Sequence, residues 1–472
     1  MRSIRSSLRL APLALLIPLA AARADDVLPP VPAQFLVQDG ATASASIAVG
    51  ADGTAHMAAV SYDDNVVYAT CAAGCGEDGA WMRTALPVPG AIRVEIAVAA
   101  RGAPRLLVVA EAADGLGGRD FLYGACDPGG FLAARRDCSR PGDWTLTRVA
   151  GSHESGMGDF FERLLPTHSF ALDPAGNPRF VYPDSDYFSE PDHYGVFYMS
   201  CEGGCTDPAG WSETDLANHL EYRTEQFTRP ALAVGPDGAA HMLAWVYGFE
   251  PDGTAIPNDL YYYGCQAGCA DRANWRRVDL VNPGSGSYPS PTWDIAVDPQ
   301  GRPRAAVFVA GAPEQADLAD SLLYFWCDAD CTTDRGWAGT VVLTDGFGEG
   351  PALALDRAGR PRIALLSPDA LPVVAACDAG CVGDSPAWTS RFLEAEADIA
   401  ADRPTALPFT CDGELWHGLM PDLAVAPDGR ALVGYDVSVQ ARCLYQAFQE
   451  PEITYDFHEI WRGARVAELA DE

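Results

Sequence analysis

The residues of this chain that could do metal or acid–base chemistry collect in a few polar stretches. Of eight histidines, five (His153, His168, His193, His219 and His417) fall in or beside the stretches 150–167, 184–195, 212–228 and 393–420. Glu154, Asp159, Asp184, Asp186, Asp192 and Glu221 accompany them. Histidine among carboxylates is the donor set of a transition-metal or hydrolytic site, whereas the Asp-x-Asp of Asp184-Ser185-Asp186 suits calcium. The candidate metal set is therefore His153, His168, Asp184, Asp186, His193 and His219, with calcium or a transition metal as the ion. A solvated polar rim with incidental histidines is the competing reading. No catalytic residue is assigned, because the sequence holds no nucleophile elbow, no HExxH and no cofactor fingerprint.

Cysteine is the second reactive type, and its spacing is regular. Cys71 and Cys75, Cys201 and Cys205, Cys265 and Cys269, Cys327 and Cys331, and Cys377 and Cys381 each form Cys-x-x-x-Cys; Cys126 and Cys138 form a stretched version. Cys411 and Cys443 are left for each other, which pairs all fourteen. Paired thiols also bind zinc. Six near-identical copies without a Cys-x-x-Cys-His favour disulfide staples in an oxidising compartment instead. A loop this short adds about 2 kcal/mol per staple by the chain-entropy model.

These residues must be carried by a repeated element. Seven turns ending in glycine recur at Gly53, Gly102, Gly176, Gly238, Gly301, Gly359 and Gly429. In Asp173-Pro174-Ala175-Gly176 and Asp298-Pro299-Gln300-Gly301 each residue suits a tight turn: Asp accepts backbone N–H groups, Pro presets φ, and Gly supplies the left-handed closing position. The spacings of 49 to 74 residues are too long for two strands and right for four with loops. Tyr68, Tyr123, Tyr198, Tyr262 and Tyr324 stand three residues before a cysteine, with Val374 at that place in the sixth copy. A ring recurring there is core packed between neighbouring sheets. Trp81, Trp144, Trp211, Trp275 and Trp337 follow the second cysteine by six residues, and Trp388 by seven. Three residues after the turn glycine stand His56, Arg105, Arg179, His241, Arg304 and Arg362. Charge compensation inside a hairpin explains that row better than an anion-capturing ring.

The predicted fold is an all-β, seven-bladed β-propeller of four-stranded antiparallel blades with disulfide-stapled hairpins. Residues 1–24 read as a signal peptide, 25–43 as a lead-in, and 44–472 as one propeller with blades starting near 44, 93, 168, 230, 292, 351 and 421. The seventh unit lacks the cysteine turn, so Arg442–Phe448 reads as its third strand and Glu459–Leu469 as a Trp-led fourth strand or short helix. FALDPAGNPRFVY (Phe170–Tyr182) and LALDRAGRPRIAL (Leu353–Leu365) give the chain a repeat style that resembles bacterial secreted propellers with sialidase-like or BNR-like repeats. The sialidase Asp-box is absent, so the resemblance transfers no catalytic residue.

Loop lengths then sort function to one face. First-to-second and third-to-fourth turns are short and stereotyped, whereas second-to-third and blade-to-blade loops vary and share the opposite face, the expected working surface. The formal net charge is −33, with 65 acidic against 32 basic residues and no lysine; removing the four arginines of residues 1–24 takes it to −37. Such a surface repels nucleic acid and anionic lipid. No apolar run after the signal is long enough to span a membrane. The expected protein is exported, periplasmic, cell-surface or extracellular, and monomeric. It is read as a non-enzymatic scaffold binding a protein or glycan, the alternative being a hydrolase or lyase of extracellular polysaccharide using loop carboxylates or histidines.

Overall fold

A computed structural model describes residues 31–37, 45–61, 63, 65–77, 79–113, 118–127, 138–152, 168–185, 194–218, 226–249, 255–284, 291–311, 318–333, 335–383, 386–402, 411–446 and 453–470. Seven four-stranded antiparallel sheets are present, and six of them contain four consecutive strands in simple order. The first strand of every sheet touches the first strands of the sheets before and after it, including the seventh against the first. That closed circle of inner strands makes the molecule a seven-bladed propeller.

The inner strands are Ser46–Val49, Ala91–Ala99, Phe170–Leu172, Gln226–Val234, Thr292–Val297, Glu349–Leu355 and Cys411–Val425. Each runs from the long-loop face towards its glycine turn, where the glycine takes a left-handed φ, +83° at Gly176 and +80° at Gly301. An L side chain there would be strained, which explains the fixed glycine.

The aromatic row packs across blade boundaries. Tyr68 meets Trp144 edge-on at 4.8 Å, Tyr123 meets Trp211 at 5.4 Å, Tyr198 meets Trp275 at 5.0 Å, Tyr262 meets Trp337 at 4.8 Å and Tyr324 meets Trp388 at 5.4 Å. One blade's third-strand ring thus caps the next blade's fourth-strand indole. Disulfides join Cys71–Cys75, Cys126–Cys138, Cys201–Cys205, Cys265–Cys269, Cys327–Cys331 and Cys377–Cys381. Cys443 is also disulfide-bonded, and Cys411 is its backbone partner across the inner and second strands of blade 7.

Blade 7 corrects the sequence reading. Its second strand is Ala431–Gln446, so the stretch from Arg442 continues that strand, and its third is Ile453–Leu469. The fourth strand is Ala33–Val37 from the other end of the chain, antiparallel to Ile453–Leu469, so part of the expected lead-in is a propeller strand. A hydrogen-bonded ladder between the two ends of the chain therefore closes the ring. Phe35 packs against Trp461 at 5.0 Å and under the Arg465 guanidinium at 4.4 Å. Arg465, buried, pairs with buried Glu394 and with Asp402 beside the short helix Glu396–Ala401. No described helix is long and apolar enough to cross a membrane.

Candidate functional site

The inner strands share the pattern x-φ-Ala-[Val/Leu], and position x differs from blade to blade: Ser46, Glu95, Ser169, Ala231, Asp294, Ala352, Asp422. This position forms a belt around the channel. Ser46 Oγ accepts the Ile96 N–H of the next blade at 3.1 Å. Glu95 accepts the N–H groups of Ser169 and Phe170 at 2.8 and 2.9 Å and the Ser169 hydroxyl at 2.5 Å. Its remaining partner is Arg93. Between blades 3 and 4 the His168 carbonyl accepts the Leu232 N–H at 2.5 Å. Asp294 accepts the Leu353 N–H at 2.6 Å, and Asp422 the Ile47 N–H at 2.7 Å.

The alanine side chain cannot accept a hydrogen bond, and the two blades that follow Ala231 and Ala352 show the consequence. There the equivalent N–H groups, of Ile295 and Leu423, turn to their own blade's Asp294 and Asp422 at 2.8 and 2.6 Å. The belt thus satisfies inner-strand N–H groups that would otherwise be buried unpaired.

His168 spans the channel from blade 3. Its Nδ1 lies 2.7 Å from Asp294 Oδ2 in blade 5, and its Nε2 lies 2.5 Å from Asp422 Oδ1 in blade 7. The two carboxylates are almost fully buried, whereas the imidazole side chain is 28% exposed. Burial alone would lower the basicity of His168, but the charges and hydrogen bonds of Asp294 and Asp422 outweigh it and hold its pKa well above the ordinary histidine value. The ring is therefore an imidazolium donating both N–H groups. Burial pushes Asp422 up, yet His168 and the N–H of Ile47 bring its pKa below the ordinary carboxylate value.

Of the six expected metal ligands, the described residues include His168 and Asp184. Asp184 is buried at the long-loop end of blade 3's second strand, and its charge adds to the burial and the Glu213 carboxylate that raise the Tyr182 hydroxyl. His153, Asp186, His193 and His219 lie outside the described residues. Both nitrogens of His168 are committed to Asp294 and Asp422, residues that loop reading does not single out. Among the described residues, no group of three or more His, Cys, Asp or Glu is placed to hold a metal ion.

The basic row is structural, as its spacing suggests. Arg105, Arg179, Arg304 and Arg362 each donate to the carbonyl of the first cysteine of their blade and pair with the acid that follows it, Asp127, Glu202, Asp328 and Asp378. In the two histidine blades that following residue is Ala72 or Gln266, and His56 and His241 instead meet Tyr68 and Tyr262 hydroxyls at 2.8 and 2.7 Å.

Blade 7's strands of 15, 16 and 17 residues exceed the six to nine residues of the blade 1 and blade 2 second and third strands. About eight extra residues at roughly 3.3 Å each carry that sheet some 25 Å beyond the ring. Phe392, 50% exposed at the end of blade 6's outer strand, meets Phe347 of the blade 5-to-6 connection at 6.2 Å.

No family model and no curated protein matches the chain. Among solved structures it is similar to a Penicillium chrysogenum alpha-L-arabinanase complexed with arabinobiose, at 13% identity over 78% of this chain and 99% of that one, with a TM-score of 0.45. An ulvan lyase of polysaccharide lyase family PL25 gives 9% identity, 90% and 95% coverage and a TM-score of 0.47. A Fusarium graminearum alpha-L-arabinofuranosidase in complex with an iminosugar inhibitor gives 13%, 76%, 97% and 0.43.

Proposed function

We propose that this is an exported recognition propeller that binds a neutral extracellular glycan on its long-loop face without transforming it. The observation that carries this reading is the state of the channel. His168, Asp294, Asp422 and Glu95 spend their ring nitrogens and carboxylate oxygens on one another and on neighbouring N–H and O–H groups. A general base needs a lone pair facing substrate, and a general acid needs a proton it can give up. These groups are held in place as structure. Phe392, half exposed with the partly buried Phe347 edge-on beside it, offers an apolar ring of the kind that covers the C–H face of a sugar, and the chain's 65 acids against 32 bases oppose sulfated or uronate chains. Six disulfides fit export to an oxidising compartment.

A second reading, a hydrolase or lyase of extracellular polysaccharide, has one observation in its favour. Tyr182 OH donates to Glu213 at 2.7 Å, and buried Asp184 acts on the same hydroxyl. To separate the two, Phe392→Ala and Asp184→Asn are each compared with the parent for affinity towards a panel of neutral and uronate-containing polysaccharides. Phe392→Ala is expected to lose about tenfold in affinity for a neutral glycan with its melting temperature unchanged, since exposed sites tolerate substitution within about 0.5 kcal/mol. Unchanged affinity in Phe392→Ala, with product formation that Asp184→Asn abolishes, would establish the enzyme.

A further inference from the structure

The belt bonds divide the ring unequally. Side-chain or carbonyl acceptors join blade 7 to 1, 1 to 2, 2 to 3 and 3 to 4, through Asp422, Ser46, Glu95 and His168. Asp294 and Thr292 join blade 5 to 6. At the boundaries 4/5 and 6/7 the belt residue is Ala231 or Ala352, so among the described residues the belt falls into two arcs, blades 7-1-2-3-4 and blades 5-6. Apolar packing covers both boundaries, with Trp245 edge-on to Trp293 at 6.4 Å at one and Ala352, Val374 and Leu423 in one cluster at the other. Such contacts are non-directional and fix no register.

We infer that the Asp294–His168–Asp422 bridge is a clasp between these two arcs, and that breaking it lets the blade 5–6 arc move at the two alanine boundaries. His168 belongs to the larger arc, and its Nδ1–H bond to Asp294 is the belt-level bond that crosses to the smaller one. The long-loop connection of blades 5 and 6, with Phe347 and Phe392, rides on the smaller arc. The groups facing the imidazole are the carboxylates of blades 5 and 7. Behind them stand neutral Ser46 of blade 1, which bonds Asp422, and the Arg93–Glu95 pair of blade 2, which holds Ser169. His168 has a raised pKa in the fold, so its contribution is full below the unfolded value and fades as pH rises through the folded one. Asp422 has a lowered pKa, so its contribution fades as pH falls through its folded value.

Amide hydrogen exchange of the full mature chain at neutral pH tests this. In His168→Ala, the inner strands at the two alanine boundaries (226–234, 292–297, 349–355 and 411–425) are expected to exchange at least about tenfold faster, while 46–49 and 91–99 stay as in the parent. Adding Ala231→Ser and Ala352→Ser, which copy the Ser46 stitch, is expected to restore slow exchange without restoring the histidine. Should His168→Ala fail to fold, His168→Gln, which reaches only one carboxylate, gives the same pattern at smaller amplitude. Equal acceleration in all seven blades, no acceleration in either variant, or no rescue by the two serines would overturn the clasp.

Discussion

The indole N–H of Trp275 donates to the Cys269 carbonyl at 2.8 Å, and Trp81, Trp144, Trp211 and Trp337 do the same in their own blades at 2.7 to 3.0 Å. Trp388, displaced by one residue from that register, has a buried indole nitrogen with no hydrogen-bond partner among the described residues. Phenylalanine keeps the apolar contact and deletes the donor. Trp275→Phe should therefore cost about 1 kcal/mol more than Trp388→Phe in urea unfolding; equal losses would show that the cysteine carbonyl does not depend on the indole. The two buried histidines of the basic row set an acid limit. Burial, only partly offset by Asp52 and Asp237, lowers His56 and His241 to about 4 from the ordinary 6.5. The unfolded chain then binds protons first, so each histidine removes up to about 3 kcal/mol of stability as pH falls from 6.5 to 4. Replacing both with glutamine should flatten the decline between pH 7 and pH 4.5, and a parallel decline in parent and variant would refute the assignment.

At the scale of the hairpin, arginine or histidine is chosen together with its surroundings. Arg304 is buried and ties Asp298, Asp328 and the Cys327 carbonyl together, whereas blade 4 sets Gly235, His241 and Gln266 at the same places. Arg304→Ala strands the buried Asp298 carboxylate with Arg302 as its one remaining cationic partner among the described residues, and should cost about 3–5 kcal/mol. The triple change Asp298→Gly, Arg304→His, Asp328→Gln, which copies blade 4, should recover more than half of that loss; no recovery would mean that the hairpin types are not interchangeable modules. Much of this unit is legible in the chain alone, because turn glycines, cysteine spacing and the Tyr–Trp register are local. The acid after the first cysteine is equally local and explains Arg against His in each of the six blades that carry the cysteine turn.

At the scale of the whole ring, what sequence reading misses is what depends on distant partners. Residues 33–37 look like a lead-in because their ladder partner is at the other end of the chain, and Asp294 and Asp422 look like ordinary strand residues because His168 is 126 and 254 positions away. A signal was present in the belt position, where one place in a repeated apolar motif switches among Ser, Glu, Ala and Asp. Closure can be tested through Phe35, 6% exposed between Trp461 and Arg465: Phe35→Ala should cost about 3–4 kcal/mol and lower the single unfolding transition of the entire ring. Melting confined to blade 7 would argue against a cooperative closed ring. The most direct measurement of the proposed binding function records association and product in the same sample. The protein is titrated with neutral polysaccharides while heat of binding and newly formed sugar ends are followed together. Saturable binding without new ends is the expected result, and the appearance of reducing or unsaturated ends in proportion to protein would contradict it.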